Sequence, residues 1–198
     1  PVAIAMLAVG IFGSVALSGF DPVLDYMKTA AFWQFASYEF SVIPMFLLMG
    51  EFASRSGLSR SLFGAANVFL GHRRGGVAMA AVGGCGAFGA ICGSSLATAG
   101  TMARVAIPEL ERYRYSGSLA TGALAAGGTL GILIPPSVAL IIYAIAVQAN
   151  IVQMFQAALI PGILGLVGYL VTISIWVHFF PESGPVGARA STKERLQA

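Results

Sequence analysis

The fold of this chain is decided by residues 75–103, GGVAMAAVGGCGAFGAICGSSLATAGTMA, which hold no charged residue between Arg74 and Arg104. A membrane-spanning helix needs about 20 apolar residues, so this stretch is too long for one comfortable crossing and too short for two. Arginines flank both of its ends, and lysine and arginine collect on the cytoplasmic side of membrane proteins. We therefore predict a re-entrant helical hairpin over about residues 75–112, with its tip near residues 89–95.

The composition is that of an all-α polytopic membrane protein. The chain has 198 residues, of which 57% are hydrophobic and 10% charged, and its mean hydropathy is +0.83. The net charge of +3 is explained by topology, with no nucleic acid as a partner. With the amino end in the cytoplasm, every lysine and arginine except Lys28 falls on the cytoplasmic side. Cys85 and Cys92 are too far apart on a helix for a disulfide, so we interpret them as small packing residues.

The amino-terminal part predicts membrane spans and an interfacial helix. Residues 1–19 form one apolar span, and residues 20–38 are rich in aromatic side chains, which suits a membrane interface. A second span is predicted over roughly residues 31–53. Residues 57–70 have one apolar and one polar face and are predicted to lie as an amphipathic helix in the cytoplasmic interface. Because Pro1 opens an apolar helix without an initiator methionine, the chain is expected to be a fragment.

A second uncharged run covers residues 115–181 and must cross the membrane twice. The first crossing, about residues 117–147, contains GGTLGILIPP at residues 127–136. Glycine adopts conformations that other residues resist, and proline lacks an amide hydrogen and clashes with the preceding turn. We predict that this crossing is a broken helix, and that the second crossing, residues 154–180, is continuous.

The hairpin tip and the broken helix together predict an ion and ligand site. Interrupted helices in secondary transporters expose carbonyl oxygens and helix ends at the centre of the membrane. Sodium prefers oxygen ligands, and helix amino ends attract anions. The predicted sodium ligands are Gly93, Ser94, Ser95, Thr98, Gly128, Thr129 and Gly131. The predicted substrate contacts are Ser94, Ser95, Pro135 and Pro136.

The same residues also allow simpler interpretations. The pairs Gly89/Gly93 and Gly127/Gly131 are spaced as in plain helix packing, but two central interruptions favour a binding site. Ser94 has no evident base to activate it as a nucleophile, so the chain is predicted not to be an enzyme. The broken elements contain no His, Asp or Glu for a proton relay. No cofactor and no metal other than sodium are predicted.

At this point the motifs resemble a known family. Residues 43–162 are similar to the large permease subunit of TRAP (tripartite ATP-independent periplasmic) transporters. The resemblance is carried by IPMFLLMGEFASRSGLSRSLFGAANVFLGHRRGG, by GAFGAICGSSLATAGTMARVAIPEL and by ATGALAAGGTLGILIPPSVALIIYA.

This resemblance implies half of an elevator-type ion-transporter fold, the first of two inverted repeats. It implies sodium-coupled uptake of an organic acid such as a C4-dicarboxylate across the bacterial inner membrane. The implied partners are a small membrane subunit, a periplasmic substrate-binding protein and the lipid bilayer. The implied division is 1–70 as scaffold-like helices with the interfacial helix, 71–150 as half of a transport domain, 151–180 as a transmembrane helix and 181–198 as a cytoplasmic linker.

Two alternatives stay open. One is another hairpin-bearing sodium/anion symporter of the dicarboxylate or citrate type, from which dependence on a soluble binding protein would distinguish a TRAP permease. The other is a membrane scaffold subunit without transport activity. The interrupted helices argue against a scaffold, because a structural brace needs no unwound backbone in the membrane.

Overall fold

A computed structural model describes residues 2–36 and 38–187, and these are almost entirely helical. The predicted all-α class is therefore confirmed for the described part of the chain. The helices are α1 (Val2–Ser18), α2 (Phe20–Ala36), α3 (Tyr38–Arg55), α4 (Leu58–Leu70), α5 (Gly76–Cys92), α6 (Ser95–Arg112), α7 (Gly117–Leu133), α8 (Val138–Ala146) and α9 (Ile151–Phe179).

These helices divide into two compact units, Pro1–Pro44 and Met45–Ala198. In the first unit α1 packs on α2, and Gly19 separates them in a left-handed conformation with φ of +88°. The second span predicted over residues 31–53 covers parts of α2 and α3. Residue 37, between these two helices, lies outside the described residues, so this span stays a prediction.

Within the described residues, only α9 is by itself long and apolar enough to cross a membrane. The helices α7 and α8 meet the same criterion only when taken together as a bent pair. Residues 4–18 of α1 and the whole of α5 are apolar but shorter.

The centre of the second unit is α5. It contacts α4, α6, α7 and α9, and most of its residues are buried. Alanine and glycine on all of its faces let the neighbouring backbones approach closely. Cys85 and Cys92 are both buried in this core and form no disulfide.

The helices α5 and α6 form a helical hairpin whose open end is closed by hydrogen bonds. The Val77 amide donates to the Tyr115 hydroxyl at 3.2 Å, and this hydroxyl donates to the Pro185 carbonyl at 2.9 Å. We call residues 181–187, which follow α9, the base segment. Burial raises the pKa of Tyr115 above its ordinary value, so its hydroxyl keeps its proton at neutral pH. The remainder of the predicted linker, 188–198, lies outside the described residues.

The broken helix consists of α7 and α8, whose axes differ in direction by 42°. The break covers residues 134–137 and contains the cis peptide bond Pro135–Pro136. The prediction that the break begins at Gly127 is wrong, because residues 127–133 are the last two turns of α7.

These glycines serve close packing instead of unwinding. A Cβ added at Gly127 would lie 3.1 Å from the Cβ of Cys85 on α5, and one at Gly128 would lie 2.6 Å from the Cβ of Ala99 on α6. The helical geometry therefore persists through them, and the two prolines alone interrupt it.

Candidate functional site

The hairpin turn and the α7–α8 break lie against each other. The Val138 amide at the start of α8 donates to the Gly93 carbonyl at 3.4 Å. A Cβ added at Gly93 would lie 2.9 Å from the carbonyl oxygen of Pro136. The carboxyl ends of α5 and α7 therefore meet the amino ends of α6 and α8. We call this region, residues 93–98 with 131–138, the tip–break site.

Local sequence explains the sharp turn of the hairpin. Gly93 adopts a left-handed conformation with φ of +61°, which glycine reaches at little cost, and its amide donates to the Gly89 carbonyl at 2.8 Å. Ser94 is extended and begins α6, where its hydroxyl accepts a hydrogen bond from the Ala97 amide at 3.4 Å. A serine in this position satisfies an amide that the helix itself leaves free.

Thr98 places a buried hydroxyl between α6 and α7. Its side chain is fully buried. Its Oγ1 makes no hydrogen bond of standard geometry within the described residues, and the Cys92 thiol, a weak partner, lies next to it. A Cβ added at Gly131 would lie 2.7 Å from this oxygen and 2.9 Å from the Ser94 carbonyl oxygen. Only glycine at position 131 leaves room for these two oxygens. The Ser94 carbonyl accepts from the Thr98 amide at 3.0 Å, which leaves its second lone pair for a ligand.

Ser137 supplies a second buried hydroxyl that the sequence prediction does not include. It is the last residue of the break, is fully buried, and its Oγ also lacks a hydrogen-bond partner among the described residues. A buried hydroxyl without a partner is costly, so these two hydroxyls are candidate ligands for a bound ion. The sequence signal was its position directly after two prolines and before a helix.

The break also changes the carbonyl groups at the end of α7. In a continuous helix, the carbonyls of Gly131 and Ile132 would accept from the amides at positions 135 and 136. Both of these positions are proline and carry no amide hydrogen. Free carbonyls at a helix carboxyl end favour a cation, and the amino ends of α6 and α8 favour an anion. The arrangement can hold a small cation beside a negatively charged group.

The structure brings most of the predicted ligands together. Gly93, Ser94 and Thr98 form the turn and first turn of α6. Gly128 lies beside the Ser95 carbonyl, since its added Cβ would be 3.3 Å from that oxygen. The remaining residues that lie at or beside the break are Gly131, Pro135 and Pro136.

Thr129 is not brought to the site. Its hydroxyl donates to the Ala126 carbonyl at 2.6 Å and lies 3.0 Å from the Tyr169 hydroxyl on α9. Thr129 therefore faces α9, whereas Gly128 and Gly131 face α6. Successive residues of an α-helix are rotated by about 100° around its axis, so Thr129 points about 100° away from Gly128 and about 160° away from Gly131. A helical wheel drawn from the sequence shows this difference in direction.

Comparison with known proteins identifies the family. The family model described as "Tripartite ATP-independent periplasmic transporter, DctM component" matches residues 1–197. The chain belongs to this family. Its members are transporter components and not enzymes.

Individual relatives agree with the DctM assignment. The chain is 35% identical over 192 residues to a C4-dicarboxylate TRAP transporter large permease protein from Pseudomonas aeruginosa, covering 96% of this chain and 44% of the relative. It is 34% identical over 177 residues to the isethionate TRAP transporter permease protein of Oleidesulfovibrio alaskensis, covering 89% and 27%. It is 30% identical over 156 residues to the ectoine TRAP transporter large permease protein TeaC of Halomonas elongata, covering 79% and 36%.

The family assignment bears on the predictions made from the sequence. The resemblance to TRAP large permeases is confirmed, which decides against the dicarboxylate- or citrate-type symporter families. The chain spans less than half the length of these relatives. Membership in the DctM family and the long apolar α9 together support a membrane protein.

Proposed function

We propose that this chain forms the first hairpin-bearing half of a sodium-coupled TRAP permease in the bacterial inner membrane. The complete permease takes up an organic acid that a periplasmic substrate-binding protein delivers, and a small membrane subunit supports it. Family membership supports the transporter assignment. We propose sodium coupling, the substrate class and the partners in addition to this assignment.

The observation that carries sodium coupling is the pair of buried hydroxyls, Thr98 and Ser137, beside the free end of α7. Neither makes a hydrogen bond of standard geometry within the described residues, and sodium would supply one partner to both. The carbonyls of Gly131 and Ile132 add oxygen ligands that the prolines leave without helical donors. A sodium ion there would offset the cost of burying these oxygens.

An organic acid is the substrate class that the helix ends favour. The amino ends of α6 and α8 both open onto the tip–break site, and such ends attract carboxylates and other anions. The names of the relatives cover C4-dicarboxylate, isethionate and ectoine. A C4-dicarboxylate is the specific proposal, and it follows the relative with 35% identity.

The test is sodium-dependent uptake by the complete permease with its companion subunits in proteoliposomes. Thr98→Val and Ser137→Ala remove the two hydroxyls while keeping side chains of similar size. Each lost oxygen ligand should weaken sodium binding by about 1–3 kcal/mol. The sodium concentration for half-maximal uptake should therefore rise about tenfold in each variant.

Thr121→Val is the matched control. Thr121 also lies on α7, but it is exposed and its hydroxyl donates to the carbonyl of Gly117 at 2.8 Å. Its sodium dependence should equal that of the parent. Unchanged sodium dependence in a well-folded Thr98→Val, Ser137→Ala double variant would contradict the sodium assignment. Uptake that needs no binding protein would contradict the tripartite assembly.

A further inference from the structure

A positively charged region lies away from the tip–break site, at the carboxyl end of α9. A cavity of about 410 Å³ opens there between the start of α5 and the last turns of α9. Arg73 and Arg74 line it from the loop before α5, and His178 lines it from α9. Among the described residues, no acidic side chain lines this cavity.

Below these charges, one face of α9 continues the cavity as an apolar wall. The wall is formed by Val167, Leu170, Val171, Ser174 and Val177, whose spacing of three and four places them on one side of the helix. Val167 and Val171 are each 49% exposed. Met79 on α5 and Leu70 on α4 form the opposite side.

The dimensions of the wall match one half of a bilayer. Val177 lies ten positions after Val167, which corresponds to about 15 Å along a helix. The hydrocarbon core of a membrane is about 30 Å thick, so one leaflet is about as deep as this wall is long. The charged groups then lie at the level of the lipid headgroups.

Within the described part of the chain, no ion pair neutralises the two arginines of the cavity. Neither Arg73 nor Arg74 belongs to any of the ion pairs found in the described part of the chain, which join Lys28 to Asp25, Arg55 to Glu51, and Arg112 to Glu109. Two unpaired guanidinium groups at the end of an apolar wall therefore need an anion with an apolar tail. A soluble anion would leave the wall exposed.

We propose that this cavity binds an anionic phospholipid. Arg73 and Arg74 hold its phosphate, and one acyl chain lies along the exposed part of α9 from Ser174 to Val167. Arginine recognises phosphate through paired hydrogen bonds. Because no acidic side chain of residues 2–36 and 38–187 lines the cavity, these residues offer the ammonium group of a zwitterionic lipid no counter-charge there. The inference depends on the membrane location of α9 and not on the transported substrate or its coupling ion.

The test is native mass spectrometry of the full gene product, purified in detergent and mixed with phosphatidylglycerol or phosphatidylcholine that carry the same acyl chains. The parent protein should bind phosphatidylglycerol with about tenfold higher affinity than phosphatidylcholine. The Arg73→Gln, Arg74→Gln double variant should lose this preference. An equal affinity of the parent for both lipids would overturn the proposal.

The matched charge control is Arg60→Gln, Arg104→Gln, which removes the same charge from a different cavity between α4 and α6. Its preference for phosphatidylglycerol should equal that of the parent. An equal loss of this preference in the control and in the Arg73→Gln, Arg74→Gln variant would show that only the overall charge attracts phosphatidylglycerol. That result would overturn the proposal.

A second variant tests the apolar wall independently of the arginines. Val171→Trp fills the wall and should lower the affinity for both lipids about tenfold, because it excludes the acyl chain. Ile175→Trp, one turn along α9 and outside the cavity, should leave both affinities unchanged. A photo-crosslinking side chain at position 171 should yield a lipid adduct in membranes. A crosslink to polypeptide there would show that protein covers this face, and it would overturn the proposal.

Discussion

Gly131 sets the distance between α7 and the first turn of α6. No side chain fits there, because an added Cβ would approach the Thr98 hydroxyl and the Ser94 carbonyl to within 3 Å. A sequence pattern shows that glycine recurs on α7, but it does not show which glycine faces a buried oxygen. Gly131 lies against Thr98 and Ser94, and its role as a sodium ligand stays a prediction, whereas its predicted unwinding is wrong.

Gly131→Ala should separate the two helices and lower stability by about 1–3 kcal/mol, the usual cost of overpacking. Sodium-dependent uptake should fall with it, since Thr98 and the Ser94 carbonyl would be displaced. The measurements are thermal unfolding in detergent and uptake in proteoliposomes. Gly122→Ala is the control on the same helix, because its added Cβ meets open space. Equal behaviour of the two variants would argue against a tight contact at position 131.

The α7–α8 break depends on its prolines at the level of the element. Glycines 127 and 128 remain helical, so replacing them would test packing against α5 and α6 and not the break. Proline can be recognised in sequence as a missing amide wherever it occurs. How far the disturbance extends could not be predicted, because neighbouring helices hold the glycine turns in helical form.

Pro135→Ala, Pro136→Ala should restore two amides and let α7 and α8 approach one continuous helix. The carbonyls of Gly131 and Ile132 would then be occupied, and uptake should fall roughly tenfold, as expected for lost oxygen ligands. Pro161→Ala is the control, because Pro161 lies inside α9 without breaking it. Full uptake by the double variant at unchanged sodium dependence would show that the break is a packing feature only.

At the scale of the whole molecule, membrane orientation remains a prediction. The two ends of the hairpin lie together, since Val77 and Tyr115 are hydrogen-bonded, so they should face the same compartment. In cells, Arg112→Cys should react with an impermeant thiol reagent only after the cytoplasmic side is opened. Gln148→Cys, between α8 and α9, should react from the periplasm. Both need a background of Cys85→Ala and Cys92→Ala. Labelling of position 112 from the periplasm would reverse the predicted orientation.

The sequence predicted helix class, the hairpin and the meeting of two interrupted elements more readily than it predicted side-chain direction. The placement of charges and the length of apolar runs are properties of whole stretches of sequence, and they do not depend on how individual side chains pack. The direction of Thr129 toward Tyr169, and the burial of Ser137, depend on which helices become neighbours. Contacts between such neighbours join residues that are distant in sequence, so no local sequence pattern predicts them.

The base segment has a consequence for the order of biosynthesis. Tyr115 closes the hairpin through the carbonyl of Pro185, 70 positions later in the chain, and the Gly75 amide likewise donates to Gly184 at 3.0 Å. While a ribosome is still adding α7, α8 and α9, the hairpin has no partner for these groups. The Val77–Tyr115 bond can therefore form within the hairpin alone, whereas the bonds from Tyr115 and Gly75 to the base segment can form only after residues 181–187 emerge from the ribosome.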